Sequence, residues 1–158
     1  KVNIIAHSLG SKIAVSSLFN ITPSSIETPD NKTINLCLIA PAIAGIDVFE
    51  HYYDRKSSVN FNKEDNYRLY ILYNERDFVL RKKDNKIGLF GPGVLKYGNT
   101  SLGCNHKDEA IKLEKYFRER FPASPITVEN LQVIGKNHSL GYFAYRDNLR
   151  CMVDFMNN

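Results

Sequence analysis

Apolar residues in this chain come in short runs, separated by clusters of turn-forming residues. Residues 2–6 are apolar apart from Asn3. Residues 33–40 (TINLCLIA) form a second run, stopped by Pro41. Residues 67–73 (YRLYILY) form a third, stopped by Asn74-Glu75-Arg76-Asp77, and residues 126–134 form a fourth, stopped by Gly135. Near-continuous apolar runs of this length predict strands of a parallel sheet covered on both faces. A different period falls between them. Residues 9–19 place Ile13, Ala14, Ser17 and Leu18 on one helical face. Residues 108–121 place Ala110, Leu113, Phe117 and Phe121 along one stripe, and residues 142–156 do the same with Tyr142, Tyr145, Leu149, Met152, Val153 and Met156. These are amphipathic helices whose stripes belong to core packing. Strands alternating with helices predict an α/β fold with a mostly parallel sheet, helices on both faces and right-handed crossovers.

With 158 residues, 43% of them hydrophobic, the chain suits one domain and excludes wholesale disorder. No apolar run approaches the roughly 18 residues that a membrane span needs. Lys and Arg number 21 against 17 Asp and Glu, a net charge of +4. The basic residues are scattered, and their longest cluster, Arg81-Lys82-Lys83, is followed at once by Asp84. That is the pattern of a solvated loop, and no nucleic-acid partner is expected. Cys37, Cys104 and Cys151 are odd in number and far apart, against both a disulfide framework and a structural zinc site. The N-x-[ST] triplets at Asn20, Asn31, Asn99 and Asn137 read as polar loops, since residues 1–6 carry no signal-peptide pattern. The expected compartment is the reducing cytoplasm.

The strongest local signal is Ala6-His7-Ser8-Leu9-Gly10, where an apolar strand runs directly into a helix. This is the G-x-S-x-G nucleophile elbow with Ala in the first position. The expectation behind its small residues is steric: positions two before and two after the serine approach closely across a sharp turn. The turn lifts the hydroxyl above the sheet and aims the helix N-terminus at the reacting centre. The pentapeptide alone would recur by chance in about one chain in ten of this length, so the flanking strand and helix carry the argument. The competing reading is that Ser8 merely caps the helix.

A serine nucleophile needs a base, and the base needs an orienting acid, in the chain order Ser, acid, His. Asp77 lies just past the third strand. His138 lies just past the fourth, before the final helix. Both occupy C-terminal strand ends, where open α/β sheets build their sites. Asp77 could instead be a turn residue, with Glu75 and then Asp47 as rival acids. His138 could be an ordinary loop histidine, although His51, among Tyr52, Tyr53 and Asp54, and His106, in a polar loop, are poorer candidates. His7 adjoins the nucleophile and reads as a packing or substrate-binding residue. No histidine pair has metal-ligand spacing near a carboxylate, so neither a metal nor another cofactor is expected.

Taken together, the elbow, Leu38-Ile39-Ala40-Pro41, the segment Leu72-Tyr73-Asn74-Glu75-Arg76-Asp77 and the terminal Asn137-His138-Ser139 resemble the α/β hydrolases. The chain is most similar to a little-characterised bacterial group, through the Ala-Pro, Ile46-Asp47-Val48-Phe49 and the Gly-rich residues 88–103 after the acid. The likeness covers nearly the whole chain, with Ala42 standing where relatives often carry Asp. It implies Ser8 as nucleophile, His138 as general base and then acid, Asp77 as orienter of the imidazole, and the Leu9 backbone N–H as an oxyanion-hole donor. The implied activity is serine hydrolysis of a small-molecule ester or related acyl substrate. A non-catalytic binding or scaffold role and acyl transfer to an alcohol are the alternatives.

Residues 88–103 would either shape the acyl pocket or its mobile cover, with Phe90 and Leu95 as inward anchors, or form a plain surface excursion. Because the first residues already belong to the elbow strand, residues 1–158 are expected to be a single partial domain. It would be the C-terminal half of an α/β-hydrolase fold lacking its N-terminal strands. The expected partner is the N-terminal remainder of its own chain, without which this piece is expected to be nearly inactive.

Overall fold

The computed structural model describes residues 1–19, 33–43, 67–80, 102–105, 108–120 and 125–158. Asp47, His51, His106, the Arg81-Lys82-Lys83 cluster, Phe90, Leu95 and the triplets at Asn20, Asn31 and Asn99 lie outside the described residues, as does the Ile46-Asp47-Val48-Phe49 segment.

Four strands form one sheet: β1 (Val2–His7), β2 (Ile34–Ile39), β3 (Tyr67–Tyr73) and β4 (Ile126–Asn130). They lie side by side in chain order, and every neighbouring pair is parallel. Parallel neighbours require crossovers long enough to return along the sheet. The helix α1 (Gly10–Phe19) follows β1, and α2 (Glu109–Arg120) precedes β4. Two helices close the chain, α3 (Leu140–Ala144) and α4 (Arg146–Asn157). Among the described residues, no helix is long and apolar enough to cross a membrane.

The strand period of two divides the interior into two cores. Leu36, Leu38, Leu69, Ile71 and Tyr73 face Val15 of α1 and Ala110, Leu113 and Phe117 of α2. Cys37, Ile39, Tyr70 and Leu72 point to the other face, where Tyr142, Met152 and Met156 cover them. The fold is therefore α/β, with helices on both faces of a parallel sheet. β2 and β3 are buried on both sides, which explains their near-continuous apolar runs, interrupted only by Asn35 in β2 and Arg68 in β3. β1 and β4 form the two edges of the described sheet, and Val2 and Ile5 on β1 remain exposed.

The elements depart from the sequence pattern in three places. The buried face of α1 is Ser11, Ala14, Val15 and Leu18, and Ile13 is 71% exposed. Ser11 can enter this face because its hydroxyl donates to the Ala6 carbonyl (3.3 Å), which removes the penalty of burying it. The fourth strand stops at Asn130, and Gln132–Ile134 is a 3-10 turn rather than a continuation of it. The last helix is two helices. Tyr145 is extended (φ −82°, ψ 118°), and this resets the helical phase, so Asn148, Met152 and Met156 face the sheet while Tyr145, Leu149 and Val153 are exposed.

Candidate active site

All four strands end on the same edge, so the residues after each are brought together. After β1 the chain turns sharply at Ser8, whose φ of 52° is left-handed, a conformation that costs a non-glycine residue about 1–3 kcal/mol. The turn is held on both sides. The Ser8 N–H donates to the Ile39 carbonyl (2.9 Å), and the Ser8 carbonyl accepts from the N–H groups of Ser11 and Ala42 (both 3.1 Å). The close-approach argument for a small residue does not apply at Gly10, where a Cβ would meet nothing within 4 Å. The first helical bonds are given by the N–H groups of Ser11 and Lys12. Those of Leu9 and Gly10 precede them, at the positive end of α1.

After β3, the turn from Asn74 to Asp77 is closed by a bond from the Asp77 N–H to the Asn74 carbonyl (2.9 Å). It buries the Asp77 side chain completely. Asp77 Oδ1 accepts from the N–H groups of Val79 (2.9 Å) and Leu80 (3.1 Å), and Oδ2 accepts from His138 Nδ1 at 2.7 Å. His138 Nε2 lies 2.9 Å from Ser8 Oγ. Since the carboxylate accepts, the Nδ1 proton is on the ring. In the neutral imidazole Nε2 is then the acceptor, and Ser8 donates to it. The three side chains thus form one directed chain of hydrogen bonds, from a half-buried hydroxyl to a fully buried carboxylate.

The rival acid is engaged elsewhere. Glu75 accepts from Asn105 Nδ2 (3.2 Å) and from Gln132 Nε2 (2.8 Å). His7 Nε2 donates to the backbone carbonyl of His138 (2.8 Å), and its ring packs near His138, Tyr142 and Phe143, at centroid distances of 5.1, 6.4 and 5.9 Å. Tyr142 is fully buried beside it. Burial, and then the charge of Asp77, push its phenol well above the usual range, so the hydroxyl stays protonated.

Two further residues of the site were not legible as such in the sequence. Asn74 is fully buried, and its Nδ2 donates to the carbonyls of Gly135 (2.7 Å) and Asn137 (3.2 Å), on the segment that carries His138. Gly103 ends the Gly-rich stretch. Its N–H donates to the Pro41 carbonyl, and its carbonyl accepts from the Asn74 N–H, both at 2.9 Å. An Asn in a turn after a strand reads simply as a strand stop, and a glycine in a Gly-rich segment reads as a loop. Neither carries a signal beyond that.

Residues 1–85 match a family model described as alpha/beta hydrolase of unknown function (DUF900). The match spans Ser8 and Asp77 and ends before His138. No curated protein and no solved structure matches the chain.

Proposed function

This chain belongs to the alpha/beta hydrolases of unknown function (DUF900), and from that premise we propose that it is a serine hydrolase working through an acyl-enzyme. What supports the reading is the continuous relay from Ser8 Oγ to His138 Nε2 (2.9 Å) and from His138 Nδ1 to Asp77 Oδ2 (2.7 Å), beside a strained elbow.

In this reading Ser8 Oγ attacks the acyl carbon while its proton passes to His138 Nε2. The developing oxyanion lies toward the Leu9 N–H at the start of α1. The imidazolium then protonates the leaving alcohol, which departs and leaves the acyl group on Ser8. Water repeats the sequence in reverse and frees the acid. Asp77 keeps the Nδ1 proton in place and offsets the positive charge on the ring. His7, half-exposed beside Ser8, is the side chain that substrate would touch. Carboxylic esters are the leading substrate class, ahead of thioesters and amides, and the cytoplasm is the compartment of this reading.

The test is hydrolysis of a series of p-nitrophenyl esters by the full-length protein. Turnover that disappears in Ser8→Ala and His138→Ala is expected. Turnover equal to wild type in Ser8→Ala would remove the nucleophile, and no turnover of any ester would favour a binding role for the fold.

A further inference from the structure

The catalytic reading requires His138 to face two partners at once, yet it sits on a short segment after β4 with little regular structure of its own. The segment is held by its carbonyls. Asn74 Nδ2 takes those of Gly135 and Asn137, and His7 Nε2 takes that of His138 itself. Each clamp residue also belongs to one of the other two triad loops. Asn74 opens the turn that ends in Asp77, its Oδ1 accepting from the Arg76 N–H (2.9 Å) and its carbonyl from the Asp77 N–H (2.9 Å). His7 immediately precedes Ser8.

The remaining links close a circuit. Asn74 N–H donates to Gly103 O, Gly103 N–H to Pro41 O, and Ala42 N–H to Ser8 O. Hydrogen bonds therefore connect the ends of all four strands in a ring. Among the described residues, the side chains of Asn74 and His7 are the two that reach the base segment from other strand ends in this ring.

We infer that Asn74 and His7 are positioning residues that set the orientation of His138, with Asn74 coupling the acid turn to the base segment and His7 coupling the base segment to the nucleophile. The inference rests on the serine-hydrolase reading for its kinetic consequence, but its geometric content is independent of turnover. Asn74 is buried and donates two bonds to one segment, so replacing its donor misplaces the imidazole. Misplacement on the scale of 1 Å lowers reactivity about 100-fold. His7 contributes one bond, and its loss corresponds to about a tenfold effect.

The experiment uses the full-length protein and two readouts, fluorophosphonate labelling rate and the low-field imidazole N–H resonance of a His138 bonded to Asp77. Asn74→Asp keeps the shape and the Oδ1 acceptor but sets an oxygen against two carbonyls. It is expected to label about 100-fold more slowly and to lose or broaden the resonance while far-UV circular dichroism stays native. His7→Phe keeps the ring packing without the donor and should label about tenfold more slowly, and His7→Gln, with a donor restored, should recover most of that loss. Wild-type labelling and an intact resonance in a folded Asn74→Asp would overturn the inference. If Asn74→Asp does not fold, His7→Phe decides: a wild-type rate and resonance overturn it, and a loss that His7→Gln reverses supports it. If the wild-type protein fails to label at all, the hydrolase reading falls and the resonance alone decides. Its loss in the variants sustains the positioning role, and its persistence refutes it.

Discussion

Gly103→Ala tests the packing beneath the site most sharply. The added Cβ would lie 2.5 Å from Leu80 Cδ1, 2.6 Å from the carbonyl carbon of Ala40 and 2.7 Å from the nitrogen of Pro41. Carbon atoms in good contact sit about 3.5–4.0 Å apart, so roughly 1 Å of relief is needed on two sides, from Leu80 and from the Ala40–Pro41 peptide. Leu80 can change rotamer. The Ala40–Pro41 peptide cannot easily move, because Ala40 has a left-handed φ of 45° and donates its N–H to Leu72 O (2.9 Å), while Pro41 O accepts from Gly103 itself (2.9 Å).

Overpacking a well-filled interior costs about 1–3 kcal/mol. With a pinned backbone peptide among the clashing groups, the upper end applies, about 3 kcal/mol, or roughly a 100-fold shift in the folding equilibrium at 1.4 kcal/mol per decade. Guanidinium unfolding followed by far-UV circular dichroism is the assay, since the chain has no tryptophan. A lower midpoint with an unchanged slope is expected. Gly10→Ala is the control, because a Cβ there meets nothing within 4 Å and the residue opens α1. It should be neutral or stabilising by up to about 1 kcal/mol. An unchanged midpoint for Gly103→Ala, or equal losses for the two variants, would refute the reasoning.

The other predictions follow from single features. Gly135 has room for a Cβ but combines φ 66° with ψ −133°, so Gly135→Ala should cost about 1–3 kcal/mol through backbone strain. An unchanged unfolding midpoint would contradict this. Asp77→Asn should slow ester turnover about 10,000-fold by presenting the wrong donor to His138 Nδ1, and a loss under tenfold would remove Asp77 from its role. Cys151 is exposed, whereas Cys37 is fully buried and burial pushes its thiol up to about 12. A thiol reagent followed by peptide mapping should modify Cys151 in the native protein and Cys37 only after unfolding. Equal native rates would show that this core opens readily.

The sheet was legible because its signal is redundant. In β2 and β3 nearly every residue is apolar, so the pattern survives any choice of which face points where. Ser8, Asp77 and His138 were legible because each follows a strand, and parallel topology delivers all such positions to one edge. What failed depends on phase and on satisfied polar groups. Val15 rather than Ile13 meets the sheet because the elbow fixes the rotation of α1, and hydropathy cannot register that Ser11 is buried through a bond to Ala6. The break at Tyr145 has no glycine or proline to announce it. Asn74 was invisible as a site residue because its two acceptors are backbone carbonyls some 60 positions away in the chain, |i−j| = 61 and 63, a pairing that exists only once β3 and β4 lie side by side.

The central claim is that Ser8 is a nucleophile activated by His138 and Asp77. It is tested most directly by treating the full-length protein with a fluorophosphonate and mapping the adduct by mass spectrometry. The account predicts one adduct, on Ser8, absent in Ser8→Ala and strongly diminished in His138→Ala. A wild-type protein that carries no adduct, or an adduct on Ser8 that forms equally fast in His138→Ala, would contradict it.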